Sequence, residues 1–213
     1  MLSETVGSYL RRRLRQHTDD TYMGVPLWKF PEDLRVYEHL LWEMRADAVI
    51  ELGTGPGGSA LWLRDRLQAL AAHGRIAGPW HVVTVDVTEP EIELPEEVTF
   101  VQGDLTDPEL PDRVVALLPQ GARPFVIEDS AHVYETTLAA LTGFSRFVPL
   151  GGFFVVEDGV VDVEELRVNP DWPHGVLPAI RDWLATDPGF VVRDDLAHYG
   201  VTCHPGGFLQ RTS

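Results

Sequence analysis

The sequence predicts an α/β fold, a mostly parallel seven-stranded sheet with helices on both faces and an antiparallel last strand. Three observations lead there. Apolar strand-like runs alternate with helical patterns almost to the end of the 213 residues. One of these runs begins at Ala48, passes through Glu51 into a glycine cluster and continues as an amphipathic stretch, the pattern of a buried strand turning sharply into a helix. The last two runs have no helical pattern between them, which favours a closing antiparallel pair joined by a loop.

Taken in order, residues 1–30 are expected to be an N-terminal helical extension and residues 31–213 the main domain. The extension carries Leu10 and Leu14 beside the basic residues Arg11, Arg12, Arg13 and Arg15, a face suited to another subunit of an otherwise acidic protein or to solvent. A helix is expected over 33–46, where Leu34, Tyr37, Leu41 and Met44 recur at helical spacing after Pro31. The strand from Ala48 meets the turn Gly53 to Ser59, and Ala60 to Leu67 is the following helix. Strands follow at His81 to Val87, Val98 to Gln102, Pro124 to Glu128, Gly152 to Glu157, Phe190 to Arg193 and Val201 to Arg211. No internal repeat or low-complexity segment interrupts the series.

Charge and composition narrow the function. A formal net charge of -16 opposes binding to a phosphate backbone, so no nucleic-acid partner is expected. No apolar run approaches a membrane span and the N-terminus lacks a signal-peptide pattern, so a cytoplasmic protein without a membrane partner is expected. Cys203 is the only cysteine, which excludes an internal disulfide and a cysteine-rich zinc site.

The motifs point to a nucleotide-like ligand. Glycines at 53, 55, 57 and 58 allow positive φ and close approach of a ligand to the backbone. Asp86 ends the next strand, where a carboxylate reaches both hydroxyls of a ribose; the alternative role is a helix cap. Glu51 places a negative charge beside the turn, which suits the ammonium and sulfonium of S-adenosylmethionine better than the pyrophosphate of a dinucleotide. Two further strands each finish in Glu-Asp, bringing Asp129, Glu157 and Asp158 to one sheet edge. Such an all-oxygen set suits a hard divalent ion, while helix capping is the plainer alternative. His132 follows three residues after Asp129, where it could accept a proton or merely satisfy its own turn. Lys29, the only lysine, is a cofactor or substrate contact or an exposed charge at a helix entry; Trp172, His174 and Tyr199 are weaker candidates for an acceptor pocket or lid.

The stretch Tyr22 to Leu34, the turn Glu51 to Ser59, Asp129 to His132, Val155 to Asp158, Asn169 to Pro178 and His204 to Leu209 together resemble the cephalosporin hydroxylase and rhamnosyl O-methyltransferase family. The resemblance covers nearly everything after about residue 20. It implies a Rossmann-like methyltransferase fold, S-adenosylmethionine and Mg²⁺ as cofactors, and methyl transfer to a hydroxyl of a sugar or other natural-product scaffold in secondary metabolism, such as antibiotic biosynthesis. By the same resemblance, Glu51, Gly53, Thr54, Gly55 and Ser59 shape the methionine end of the site, Asp86 holds the ribose, and Gly103 and Asp104 contact adenine. Asp129, Glu157 and Asp158 match the metal ligands, Asp129 also borders the cofactor, and His132 stands in the base position. The chain departs from the family pattern at Ala131, where an acid is usual, and at Gly55, where alanine is common. Two other readings are a non-methylating relative that supports a hydroxylation and a nucleotide-linked oxidoreductase.

Overall fold

The computed structural model describes residues 5–213; the first four residues of the expected extension lie outside the described residues. Helix α1 (Val6–Gln16) is capped by Thr5, whose hydroxyl accepts from Ser8 N–H at 3.2 Å. A small hairpin, β1 (Thr21–Tyr22) and β2 (Val25–Pro26), precedes α2 (Pro31–Met44). Proline at the first turn starts α2, and Arg45 ends it in the left-handed region at φ 53°. The helix thus begins two residues earlier than its spacing suggested.

The main sheet has seven strands in the order β5-β4-β3-β6-β7-β9-β8. These are β3 (Ala48–Leu52), β4 (His81–Asp86), β5 (Val98–Gln102), β6 (Pro124–Glu128), β7 (Phe153–Val156), β8 (Phe190–Val192) and β9 (Phe208–Arg211). All neighbours are parallel except β9, which runs antiparallel to both β7 and β8. The expected closing pair is present, but its final strand is much shorter than 201–211. Pro205, Gly206 and Gly207 turn the chain before β9, and Gly206 has φ 68°. Helices α3 (Gly58–Ala72), α4 (Leu110–Val115), α5 (Tyr134–Phe144) and α6 (Val176–Leu184) complete the fold.

Alternation along the strands builds two cores, one on each face. Val49, Val82, Phe125 and Val155 face α2 and α3, packing on Tyr37, Leu41, Leu63 and Leu67. Ile50, Val83, Val126 and Phe154 face the other way onto Leu141, Phe144, Ile180 and Trp183. A third cluster joins Leu14 to Phe30, Val160 and Cys203, with Leu10 packed against it. The apolar face of α1, the reason to expect a subunit contact, is therefore occupied by its own chain.

Strand order places the site. From β3 the chain moves outward through β4 and β5, then returns to add β6 and β7 on the opposite side. The reversal between β3 and β6 opens a crevice at their carboxyl ends, the usual ligand position in such sheets.

Candidate active site

The glycine turn closes directly over that crevice. Gly53 N–H donates to Val85 O at 2.8 Å, and Asp129 N–H donates to Leu52 O at 2.7 Å, extending the ladder past both strand ends. Gly53 has φ 116°, and a Cβ there would lie 1.9 Å from the Asp129 carbonyl oxygen, so only glycine fits between the two loops. Gly55 differs: its Cβ position is open, on the rim of the cavity.

A cavity of about 420 Å³ lies above the turn. It is lined by the expected residues Gly53, Thr54, Gly55, Ser59, Asp86, Gly103, Asp104, Asp129, His132 and Asp158, and by Lys29. Asp86 accepts from Gly55 N–H at 3.0 Å through Oδ2 and from Thr88 N–H at 3.2 Å through Oδ1, which fixes its carboxylate at the rim. Asp104 is held by the Thr106 N–H and hydroxyl, and these bonds lower its pKa.

Glu51 and Glu157 do not line this cavity; both are buried behind it. Glu51 Oε2 accepts from the Thr84 hydroxyl at 2.7 Å, whereas Oε1 has no hydrogen-bond partner among the described residues. Burial drives the Glu51 pKa up to about 7, against the opposing pull of Lys29, Ser59 and Thr84. Glu51 lies behind the glycine turn and, when ionised, favours a cationic group in the cavity through space rather than by contact, since its Oε1 is closed off from the cavity.

The carboxylate cluster is arranged differently from the expected trio. Lys29 is 4% exposed, and its Nζ bridges Asp129 Oδ2 and Glu157 Oε1, each at 2.7 Å. The reading of Lys29 as an exposed helix-entry charge is thereby overturned, and two of the three expected metal ligands share an internal cation. Although burial by itself disfavours the ammonium, the surrounding Asp129, Glu157 and Glu51 carboxylates raise its pKa on balance. Asp129 has its pKa raised by burial and by Glu157, with Lys29 pulling the other way.

What the structure gathers at the cavity is Asp129, His132 and Asp158, with one donor atom from each lying within 4.8 Å of the others. His132 sits at φ 55°, and its Nε2 lies 3.4 Å from Asp158 Oδ2 and 3.8 Å from Asp129 Oδ1. Desolvation would lower the imidazole pKa, but Asp158, Asp129, Glu128 and Glu157 together outweigh it and leave the value raised. Two partly exposed carboxylates beside an imidazole fit a hard divalent cation that keeps several waters. Glu157 fits that role less well, because its Oε1 is already engaged by Lys29 and by the Tyr37 hydroxyl at 2.7 Å.

Behind the cluster lies a network that spacing alone did not reveal. Asp158 N–H donates to His204 Nδ1 at 3.0 Å, which leaves His204 Nε2 to donate to the Tyr37 oxygen at 3.0 Å. Tyr37 in turn donates to Glu157, and burial pushes its own pKa well above the usual value. Asp33 accepts from the Thr202 hydroxyl at 2.6 Å and from Cys203 N–H at 2.9 Å, tying the loop before β9 to α2. The sequence signal was His204 in the segment His204 to Leu209, whose partner Tyr37 reads only as a core position of a helix.

Comparison with known proteins shows the family. The rhamnosyl O-methyltransferase/CmcI family matches residues 15–212. The chain belongs to that family. The enzyme class expected from the sequence, an S-adenosylmethionine-dependent O-methyltransferase, is that of the family. A rhamnosyl O-methyltransferase of Mycobacterium tuberculosis (strain ATCC 25618 / H37Rv) is 30% identical over 201 residues, covering 91% of this chain and 79% of the relative. One from Mycobacterium leprae (strain TN) is 26% identical over 197 residues, covering 90% and 82%. Among solved structures, CmcI described with Mg and SAM superposes with a TM-score of 0.67 at 22% identity, covering 92% of this chain and 78% of the other. MycE methyltransferase from the mycinamycin pathway, in complex with Mg, SAH and mycinamycin VI, gives 0.57 at 18% identity, covering 98% and 55%. These structural likenesses establish the methyltransferase fold, whose antiparallel last strand is β9 here.

Proposed function

We propose that the protein transfers a methyl group from S-adenosylmethionine to a hydroxyl of a sugar or other natural-product scaffold, with Mg²⁺ held at Asp129 and Asp158. The observation that carries this reading is His132 Nε2, set 3.4 Å from Asp158 and 3.8 Å from Asp129 on the wall of the cavity that begins at the glycine turn. In this reading Gly53, Thr54, Gly55 and Ser59 cradle the methionine end above the unpaired Glu51 oxygen, Asp86 holds the ribose, and Gly103 and Asp104 border the adenine. Asp129 borders both cofactor and metal.

The chemistry needs alignment and a proton acceptor. The acceptor oxygen forms a bond to the methyl carbon as the carbon–sulfur bond breaks, its electron pair stays on sulfur, and His132 takes the hydroxyl proton. Magnesium bound beside the hydroxyl would make it more acidic. Lys29, locked to Asp129 and Glu157, keeps the Asp129 carboxylate oriented with one oxygen toward His132.

The reading extends to domain organisation and setting: an N-terminal extension over 1–30, a catalytic domain over 31–213, a cytoplasmic location and a homo-oligomer, which light scattering tests. No helix among the described residues is long and apolar enough to cross a membrane. Calorimetric titration with S-adenosylhomocysteine, with Mg²⁺ and then in excess chelator, tests the core of the proposal. Binding by the wild type and loss of methyl transfer in chelator are expected; no binding would contradict the cofactor site, and full activity in chelator would contradict the metal.

A further inference from the structure

Two residues of the proposed centre, His132 and Asp158, stand in the left-handed backbone region, each at φ 55°. A Cβ makes that region costly, so an aspartate stays there only where its surroundings hold it. Strand geometry shows what the turn at Asp158 achieves. Side chains alternate along β7, so a straight continuation would put Asp158 on the face of Phe154 and Val156, toward α5 and α6. The turn instead sets its carboxylate on the cavity wall, with Oδ2 3.4 Å from His132 Nε2.

One imidazole supplies the hold. The ladder between β6 and β7 ends where Glu157 N–H donates to Glu128 O at 2.8 Å. The next N–H, that of Asp158, donates to His204 Nδ1 at 3.0 Å, a partner 46 residues away. Backbone bonds fasten the His204 loop on both sides of this contact: Val156 N–H donates to Gly207 O at 2.9 Å, and Val160 N–H to Cys203 O at 3.0 Å. The fit is close, since a Cβ at Gly207 would lie 2.0 Å from Val156 O and one at Gly159 2.7 Å from Pro205 O. His204 itself is 2% exposed. Its Nε2 faces two acceptors, the Tyr37 oxygen at 3.0 Å and Asp33 Oδ2 at 3.5 Å, which keeps the ring proton on Nε2 and leaves Nδ1 to accept from Asp158.

We propose that His204 is a positioning residue for methyl transfer: through Nδ1 it holds Asp158 in the left-handed turn that presents the carboxylate to the cavity, and so to a divalent cation. The inference rests on the methyl-transfer reading with its ion at Asp129 and Asp158. His204 does not line the cavity, so its effect on an ion there passes through its neighbours. Two amide substitutions tell which neighbour. In His204→Asn the side-chain oxygen takes the place of Nδ1 and accepts from Asp158, while the link to Tyr37 is lost. In His204→Gln the amide reaches the place of Nε2 and keeps Tyr37 in range, while the acceptor for Asp158 is lost. His204→Leu loses both.

The probe is Mn²⁺, followed by the loss of its free-ion EPR signal as it is titrated into each protein with saturating S-adenosylhomocysteine. Calorimetry gives the S-adenosylhomocysteine affinity of the same samples, and thermal unfolding confirms that each is folded. The wild type should bind Mn²⁺, and His204→Gln and His204→Leu should weaken it by about 10- to 100-fold, the usual cost of losing a residue that orients a metal ligand. His204→Asn should stay within about threefold of the wild type, and S-adenosylhomocysteine affinity within about twofold throughout. Wild-type Mn²⁺ affinity in His204→Leu, equal losses in His204→Asn and His204→Gln, or a larger loss in His204→Asn would overturn the role given to His204. If His204→Leu does not fold, the Asn and Gln pair decides alone. Failure of the wild type to bind Mn²⁺ would overturn the metal reading and this role together, whereas a wild type that binds and variants that match it overturn the role only.

Discussion

Replacing Lys29 with methionine removes the one cation that holds two carboxylates at the heart of the site. The side chain is 4% exposed and makes two 2.7 Å contacts, to Asp129 and to Glu157, which is itself 1% exposed. Breaking a buried ion pair from one side costs about 3 to 5 kcal/mol, because the partner charge stays behind without compensation. Asp129 keeps a side-chain exposure of 22%, so water screens its share and the lower end, about 3 kcal/mol, applies. For a chain of 213 residues, 2 to 4 °C per kcal/mol converts this to a fall in Tm of about 6 to 12 °C. Urea unfolding with an unchanged slope provides the free energy. Adding Glu157→Gln to Lys29→Met should recover at least about 1 kcal/mol, since the stranded charge is then gone. A loss below about 1 kcal/mol, or a double variant whose two losses simply add, would refute the assignment of Lys29 as the internal counter-ion.

Three other outcomes follow from the same geometry. Gly53→Ala, which would force a Cβ to 1.9 Å from the Asp129 carbonyl at a φ of 116°, should lower stability by at least about 2 kcal/mol in thermal unfolding and by more than Gly55→Ala, which has open space at its Cβ and bears only the backbone strain of φ 49°, about 1 to 2 kcal/mol. Asp86→Ala should weaken S-adenosylhomocysteine by about 1.5 to 3 kcal/mol in calorimetry, the worth of charge-assisted hydrogen bonds. Glu51 has a folded-state pKa raised to about 7 from 4.5, so its protonated form is favoured by folding: that contribution is full below about pH 4.5 and is lost as pH rises through 7. Glu51→Gln should therefore match the wild type near pH 4 and exceed it by roughly 3 kcal/mol at pH 8 in unfolding measurements, while weakening binding of the cationic methyl donor.

Much of the fold was legible because its strands announce themselves twice, by an apolar run and by the acid or glycine that ends it. Val98–Gln102 and Pro124–Glu128 match their expected limits. The final strand is shorter than expected because Val201 and Thr202, despite strand-like side chains, precede the turn at Pro205 to Gly207 that delays pairing to Phe208. The candidate residues at strand ends, Asp86, Asp129 and Asp158, were legible as positions on the cavity wall for the same reason as the strands. What could not be read were contacts set by tertiary closure: Lys29 meets partners 100 and 128 residues away, and Tyr37 meets His204 across 167. A helical period reports that Tyr37 faces inward and is silent on what waits there. The same holds for α1, whose apolar stripe suits another subunit as well as the Phe30, Val160 and Cys203 cluster it occupies.

The most direct test of the account is methyl transfer by the wild type and His132→Ala, using S-adenosylmethionine labelled in its methyl group and mass detection of the methylated acceptor, with S-adenosylhomocysteine affinity measured on both proteins. The wild-type rate should fall with decreasing pH as the base becomes protonated. In His132→Ala that limb should vanish and kcat should drop by about 10² to 10⁴, with cofactor affinity nearly intact. An unchanged rate and pH profile in His132→Ala would contradict the assignment of this cluster as the methyl-transfer centre.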